Sequence, residues 1–239
     1  MNELHIDFIR LVIVVIPLVL IAYYRKSLNP LYAAGLLLPL VILDMVVLNT
    51  SAQFIYNNQK HLNFWGKLLE IVWVLSLVFI LKVISAQSIG LKCPAKKIQL
   101  FTGALIGTSM AILFFVIEKF WFIELLPNGS ISVGALLFGF LMPGLSEELI
   151  YRGVFLGILN HYLGYPWKFF NTRFGWGLVL VSLMFVMAHE IVWTGNIPAM
   201  IELVMMALIY GYLREKTNSI WPSVLCHSCA DGVYYFLAF

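Results

Sequence analysis

The stretch ISVGALLFGFLMPGLSEELIYRGVFLGIL runs from Ile131 to Leu159, and its only charged side chains are Glu147, Glu148 and Arg152. It is longer than the roughly 20 residues that cross a bilayer. Ionisable groups at membrane depth are costly, and they usually face a bundle interior where they have a task. On a helix Glu148 and Arg152, four apart, share a face and can pair, whereas Glu147 points about 100° away. The pairing neutralises one carboxylate and leaves Glu147 free to meet another helix. Pro143-Gly144 predicts a kink or break, with Ser146 near the start of a fresh half-helix. Taken alone, the cluster reads equally well as a salt-bridged packing unit without chemistry.

The flanking sequence is as apolar as this stretch. Of 239 residues, 62% are hydrophobic and 11% charged, with a mean hydropathy of +0.92. Soluble domains run nearer ~45–50% apolar and ~25% charged. The composition therefore predicts an all-α, polytopic membrane bundle of about eight transmembrane helices, since open irregular backbone cannot face lipid. The expected spans are 8–24, 31–48, 68–86, 100–120, 131–159, 176–193, 198–213 and 220–239. Residues 1–130 hold four helices without a motif, residues 131–239 the candidate catalytic core, and the whole is one membrane domain. The first apolar run reads as a retained span, because the segment before it is acidic and no small-residue cleavage site follows. The aromatic segment His161–Arg173 reads as lying along the interface.

Charge supports this layout. Arg25, Lys26, Lys82, Lys92, Lys96, Lys97, Lys168, Arg173, Arg214 and Lys216 fall on one side, against Lys60, Lys67 and Lys119 on the other. Basic residues favour the cytoplasmic side, so both termini are expected to face outward. The net charge of +3, with no basic stripe, excludes nucleic acid as a partner. Three cysteines, Cys93, Cys226 and Cys229, do not make a disulfide framework.

Two further spans carry ionisable groups. His189 follows Phe185 by four residues, so the two share a helical face, and Glu190 next to it reads as a span-end charge. His227 and Asp231 are also four apart, which lets the carboxylate orient the imidazole. A lone membrane histidine is more often a packing residue than a catalyst. The joint occurrence of these groups on three C-terminal spans argues for a common site. Glu202 is left unassigned. Asp44 reads as better buried than the other acidic residues of the N-terminal spans, whereas Glu70 with Lys67 and Glu118 with Lys119 read as interfacial charges. Cys226-x-x-Cys229 reads as two packing residues rather than a redox or metal pair. Gly103-x-x-x-Gly107 and Gly153-x-x-x-Gly157 permit close helix contacts.

Glu147-Glu148-x-x-x-Arg152, Phe185-x-x-x-His189 and His227-x-x-x-Asp231, in this order on successive apolar spans, resemble the motifs of the CAAX-protease and bacteriocin-processing (Abi) family. That family includes the type II CAAX prenyl endopeptidases. The run Tyr210–Pro222 is similar to the family's approach to its last histidine motif, and the resemblance covers about residues 131–235. It implies an eight-helix fold and peptide-bond hydrolysis at or inside the membrane. It also implies roles: Glu147 as general base, made a stronger base by a dry cavity, His189 holding the same water, and His227 stabilising the oxyanion. Glu148 with Arg152 would fix the helix, and Asp231 would orient His227, because an ionised Asp cannot donate a hydrogen bond as the family's Asn can.

No cofactor is required on this reading. Zinc held by Glu147, His189 and His227 is the competing mechanism, and the absence of a His-Glu-x-x-His pattern weighs against it. The implied partner is a membrane-delivered peptide or protein, with lipid modification left open, and the implied location a bacterial-type plasma membrane. Two other functions stay open: a non-catalytic membrane regulator of the same fold, and a proton-coupled transporter, which the lack of an inverted repeat disfavours.

Overall fold

The computed structural model describes residues 3–54, 63–80, 85–121, 132–189, 192 and 194–238. The N-terminal half supplies α1 (Glu3–Arg25), α2 (Asn29–Phe54), α3 (Phe64–Phe79) and α4 (Ile98–Trp121). α5 (Val133–Glu147) passes directly into a π-helical segment, Glu148–Phe155, and then into α6 (Leu156–Leu163). A two-stranded hairpin follows, β1 (Trp167–Phe169) and β2 (Thr172–Phe174), and then α7 (Trp176–Met187), α8 (Ile197–Thr217) and α9 (Trp221–Ala238). Each hydropathic span thus has a helix.

Among the described residues, four stretches are long and apolar enough to cross a membrane: Asn29–Leu48, Ile98–Phe120, Val133–Leu163 and Ile197–Thr217. They mark the chain as a multi-pass integral membrane protein. Lys60, Lys82, Glu190 and the C-terminal part of the third expected span lie outside the described residues.

α9 organises the C-terminal half, with α4 and α5 packed along it. A Cβ at Gly103 or Gly107 would collide with the backbone of Pro222 or Cys226, so this glycine pair sets how closely α4 approaches α9. Cys226 is fully buried in that contact, and all three cysteines are free.

The break expected at Pro143-Gly144 is not present. Pro143 lies inside α5, as membrane helices tolerate. Gly144 meets Ser228 of α9, where a Cβ would clash with its backbone and hydroxyl, so the dipeptide serves packing. The irregularity comes four residues later, as the π segment.

The aromatic segment His161–Arg173 is divided between a helix end and a hairpin. α6 extends to Leu163 and the hairpin takes up the remainder. Its turn residues Phe170 and Asn171 have φ of 42° and 61°. Positive φ at both central positions is what a two-residue hairpin turn of matching twist requires, and among residues with a side chain Asn is one of those that tolerate it. Trp167 closes the hairpin against Phe174 and Trp176.

The N-terminal half is packed onto this core: α1 lies against α7, α2 against α6, and α3 against α5. The last contact brings α3 to the candidate site.

Candidate active site

The π segment begins at the second glutamate. Such i→i+5 turns inside α-helices are frequent at functional sites. Glu148 and Arg152 are both completely buried, and Arg152 Nη1 donates to Glu148 Oε1 at 3.0 Å, as the spacing predicts. The same Oε1 faces His227 Nδ1 at 2.9 Å. Arg152 Nη2 donates to the carbonyl of Ala207 at 2.9 Å. Its guanidinium lies over the ring of Phe185 at 4.2 Å and near that of Tyr210 at 5.2 Å. A charge pair this deep relies on further hydrogen bonds from its surroundings. Here α8 and α9 supply hydrogen-bond partners and α7 a ring face, while Glu148 Oε2 and Arg152 Nε have no hydrogen-bond partner among the described residues.

His227 is held from several sides. Tyr210 stacks on it, with centroids 4.6 Å apart and planes at 13°. Nδ1 faces Glu148, and Nε2 lies 3.4 Å from Asp231 Oδ2. Both ring nitrogens therefore face carboxylates, an arrangement for a donor at each. Glu148 is the closer partner, so the buried glutamate orients this ring at least as much as Asp231 does.

Glu147 points elsewhere, as the 100° offset requires, but it is not free. Its Oε1 lies 3.1 Å from Lys67 Nζ of α3, and its Oε2 lies 3.8 Å from His189 Nε2. The free carboxylate expected above is corrected by this cation. Positive charge beside a span end marks topology in the sequence, and nothing local distinguishes it from a group folded inward. The expected interfacial Lys67–Glu70 pair is likewise corrected: Glu70 is 1% exposed, with Oε2 3.1 Å from the same Nζ. Asp44, also buried, contributes to the negative surroundings of Lys67.

His189 lies just beyond the end of α7, which stops at Met187 rather than continuing to Trp193. The shorter helix lets the chain turn and bring His189 to Glu147. Its Nδ1 donates to the carbonyl of Phe185 at 2.7 Å, and its ring packs on that of Phe185 at 4.6 Å. Phe185 also meets His227 at 5.8 Å, so one aromatic ring braces both histidines. Because a carbonyl can only accept, Nδ1 carries the proton, and in the neutral ring Nε2 is then an acceptor. Glu147 Oε2, which has no hydrogen-bond partner among the described residues, faces it across 3.8 Å.

These groups line a cavity of about 480 Å³, together with Asn63, Glu118, Glu202 and Asp231. Glu118 is therefore not an interfacial charge. It is 7% exposed and accepts a hydrogen bond from Tyr234 of α9. A larger groove of about 710 Å³ between the hairpin, α4 and α8 is mostly apolar and contains none of the candidate residues.

Both nitrogens of His227 face carboxylates, and Glu147 already has an ammonium on one oxygen. Among the described residues no three His, Cys, Asp or Glu side chains converge as metal ligands.

All six residues singled out from sequence thus gather around two adjoining clusters, Glu148–Arg152–His227–Asp231 and Glu147–His189. Lys67, Tyr210 and the bracing role of Phe185 carry no local signal, since each acts through helices remote in sequence.

A family model described as type II CAAX prenyl endopeptidase Rce1-like matches residues 129–233. No curated protein and no solved structure matches the chain. The matched segment includes Glu147, Glu148, Arg152, His189, His227 and Asp231, and residues 129–233 of this chain are similar to the Rce1-like type II CAAX prenyl endopeptidase family.

Proposed function

We propose that the protein is an intramembrane endopeptidase that hydrolyses a peptide bond in a membrane-associated peptide or protein, using Glu147 and His189 to activate water. The supporting observation is the pair of acceptors, Glu147 Oε2 and His189 Nε2, facing one another at 3.8 Å. Two acceptors cannot bond to each other, but a water with two hydrogens bridges them. Glu147 takes one proton as the water oxygen attacks the carbonyl carbon, and His189 holds the other hydrogen and fixes the lone pair's direction. Collapse breaks the C–N bond, and the proton on Glu147 passes to the leaving amine. His227 Nε2–H, released from Asp231, stabilises the oxyanion. Glu148 and Arg152 act through position, by holding His227 and the π segment.

The family name supports substrates with a CAAX-type tail, prenylated or not; the reading sets the enzyme as an eight-span protein of a bacterial-type plasma membrane, on the hydropathy of the sequence alone. The metal alternative predicts stoichiometric zinc that disappears in His189→Ala and His227→Ala. A proton-coupled transporter of the same fold would give pH-dependent flux without cleavage products, and a non-catalytic regulator would give neither. New peptide termini present with wild type and missing with Glu147→Gln support the protease. Unchanged termini reject it.

A further inference from the structure

We propose that Lys67, which lies outside the segment matched by the family model, is a positioning residue of the same catalytic centre: it clamps one oxygen of Glu147 so that the other faces His189. The inference rests on the proposed role of Glu147. Its basis is geometric. Lys67 Nζ lies 3.1 Å from Glu147 Oε1 and 3.1 Å from Glu70 Oε2. Glu70, one turn along α3 and 1% exposed, therefore holds the ammonium from behind. Asn63 anchors the base of this helix: its Oδ1 accepts from Gly66 N at 2.9 Å, and its Nδ2 donates to the Leu48 carbonyl at 3.0 Å, tying α3 to α2.

The placement runs against local preference. Lys67 sits in the first turn of α3, where the helix dipole disfavours a cation. A half-buried lysine in an apolar bundle also needs partners to offset its lost hydration. Its position follows from two partners, a carboxylate one turn along its own helix and, across the bundle, the carboxylate of α5 that faces the candidate water. With Oε1 engaged, Glu147 cannot rotate freely, and Oε2 is left toward His189 at 3.8 Å. The N-terminal half would thus supply part of the site, rather than only a wall for it.

The test quantifies wild-type-dependent peptide termini in membranes carrying equal amounts of wild type, Glu147→Gln, Lys67→Met, Lys67→Met/Glu70→Gln and Lys67→Arg. Lys67→Met strands two carboxylates and can fail to fold, whereas the double variant also removes the charge that Lys67 shared on α3. The double variant, melting in detergent near the wild-type temperature, is expected to lose on the order of 100-fold in yield, the effect of about 1 Å of misplacement. Lys67→Arg keeps a cation able to bridge two carboxylates, and it is expected to recover yield above the methionine variants. A folded double variant with wild-type yield, or an arginine variant no better than methionine, overturns the role of Lys67. Termini that survive Glu147→Gln overturn the protease reading beneath it.

Discussion

Arg152 is the residue on which the buried half of the site depends. It answers Glu148, caps the Ala207 carbonyl and packs its guanidinium against Phe185 and Tyr210. Arg152→Met leaves Glu148 buried without its cation, and a loss of about 3–5 kcal/mol is expected in detergent unfolding. Arg152→Lys should recover little of this, because an ammonium cannot reproduce the planar stacking and the divided donors. Asp231 is a milder case. With Glu148 already on Nδ1, Asp231→Asn should retain cleavage, whereas Asp231→Ala loses about five- to tenfold, the worth of one hydrogen bond of ~1–1.5 kcal/mol. An asparagine variant as inactive as the alanine variant would remove the orienting role. The pairs four apart were legible in the sequence because a single helix turn encodes them. Lys67 was not, because a contact from α3 to α5 leaves no periodicity, and a lysine at a span end resembles any topological charge.

At the scale of elements, the α4–α9 contact is set by backbone approach. A Cβ at Gly107 meets the Cys226 carbonyl, so Gly107→Ala should destabilise by about 1–3 kcal/mol through overpacking. Gly35 of α2 has nothing within 4 Å of such a Cβ, so Gly35→Ala should be neutral or gain up to ~1 kcal/mol. Thermal melting of the two variants in one detergent gives the comparison, and equal melting temperatures would refute the packing argument. Hydropathy located each long helix among the described residues, because lipid imposes that periodless apolar signal. The local irregularities were read less well. Pro143-Gly144 looked like a break yet packs against Ser228, while the π segment carries no proline or glycine at its start. The hairpin was hidden because Phe170, at positive φ, is an uncommon turn residue and only Asn171 signals it.

For the molecule as a whole, the preference of basic residues for the cytoplasmic side predicts that the 92–97 segment lies there. Cys93 in that segment is exposed, whereas Cys226 is buried. In a Cys229→Ala background, a membrane-impermeant maleimide should label Cys93 in inverted vesicles and spare it in intact cells. The reverse pattern would invert the topology. The candidate site was legible as an ordered set of motifs on successive spans. Its enclosure was less so: a cavity bounded by α3 as well as by the C-terminal helices depends on how the two halves pack. Composition constrains that packing only weakly.

The central claim is that Glu147 carries out peptide-bond hydrolysis. The most direct measurement compares peptide termini in membranes that contain equal amounts of folded wild type or Glu147→Gln. A set of termini present with wild type and lost with the amide is the predicted result, since glutamine keeps the shape of the side chain but cannot accept the water's proton. Identical termini in the two membranes would contradict it.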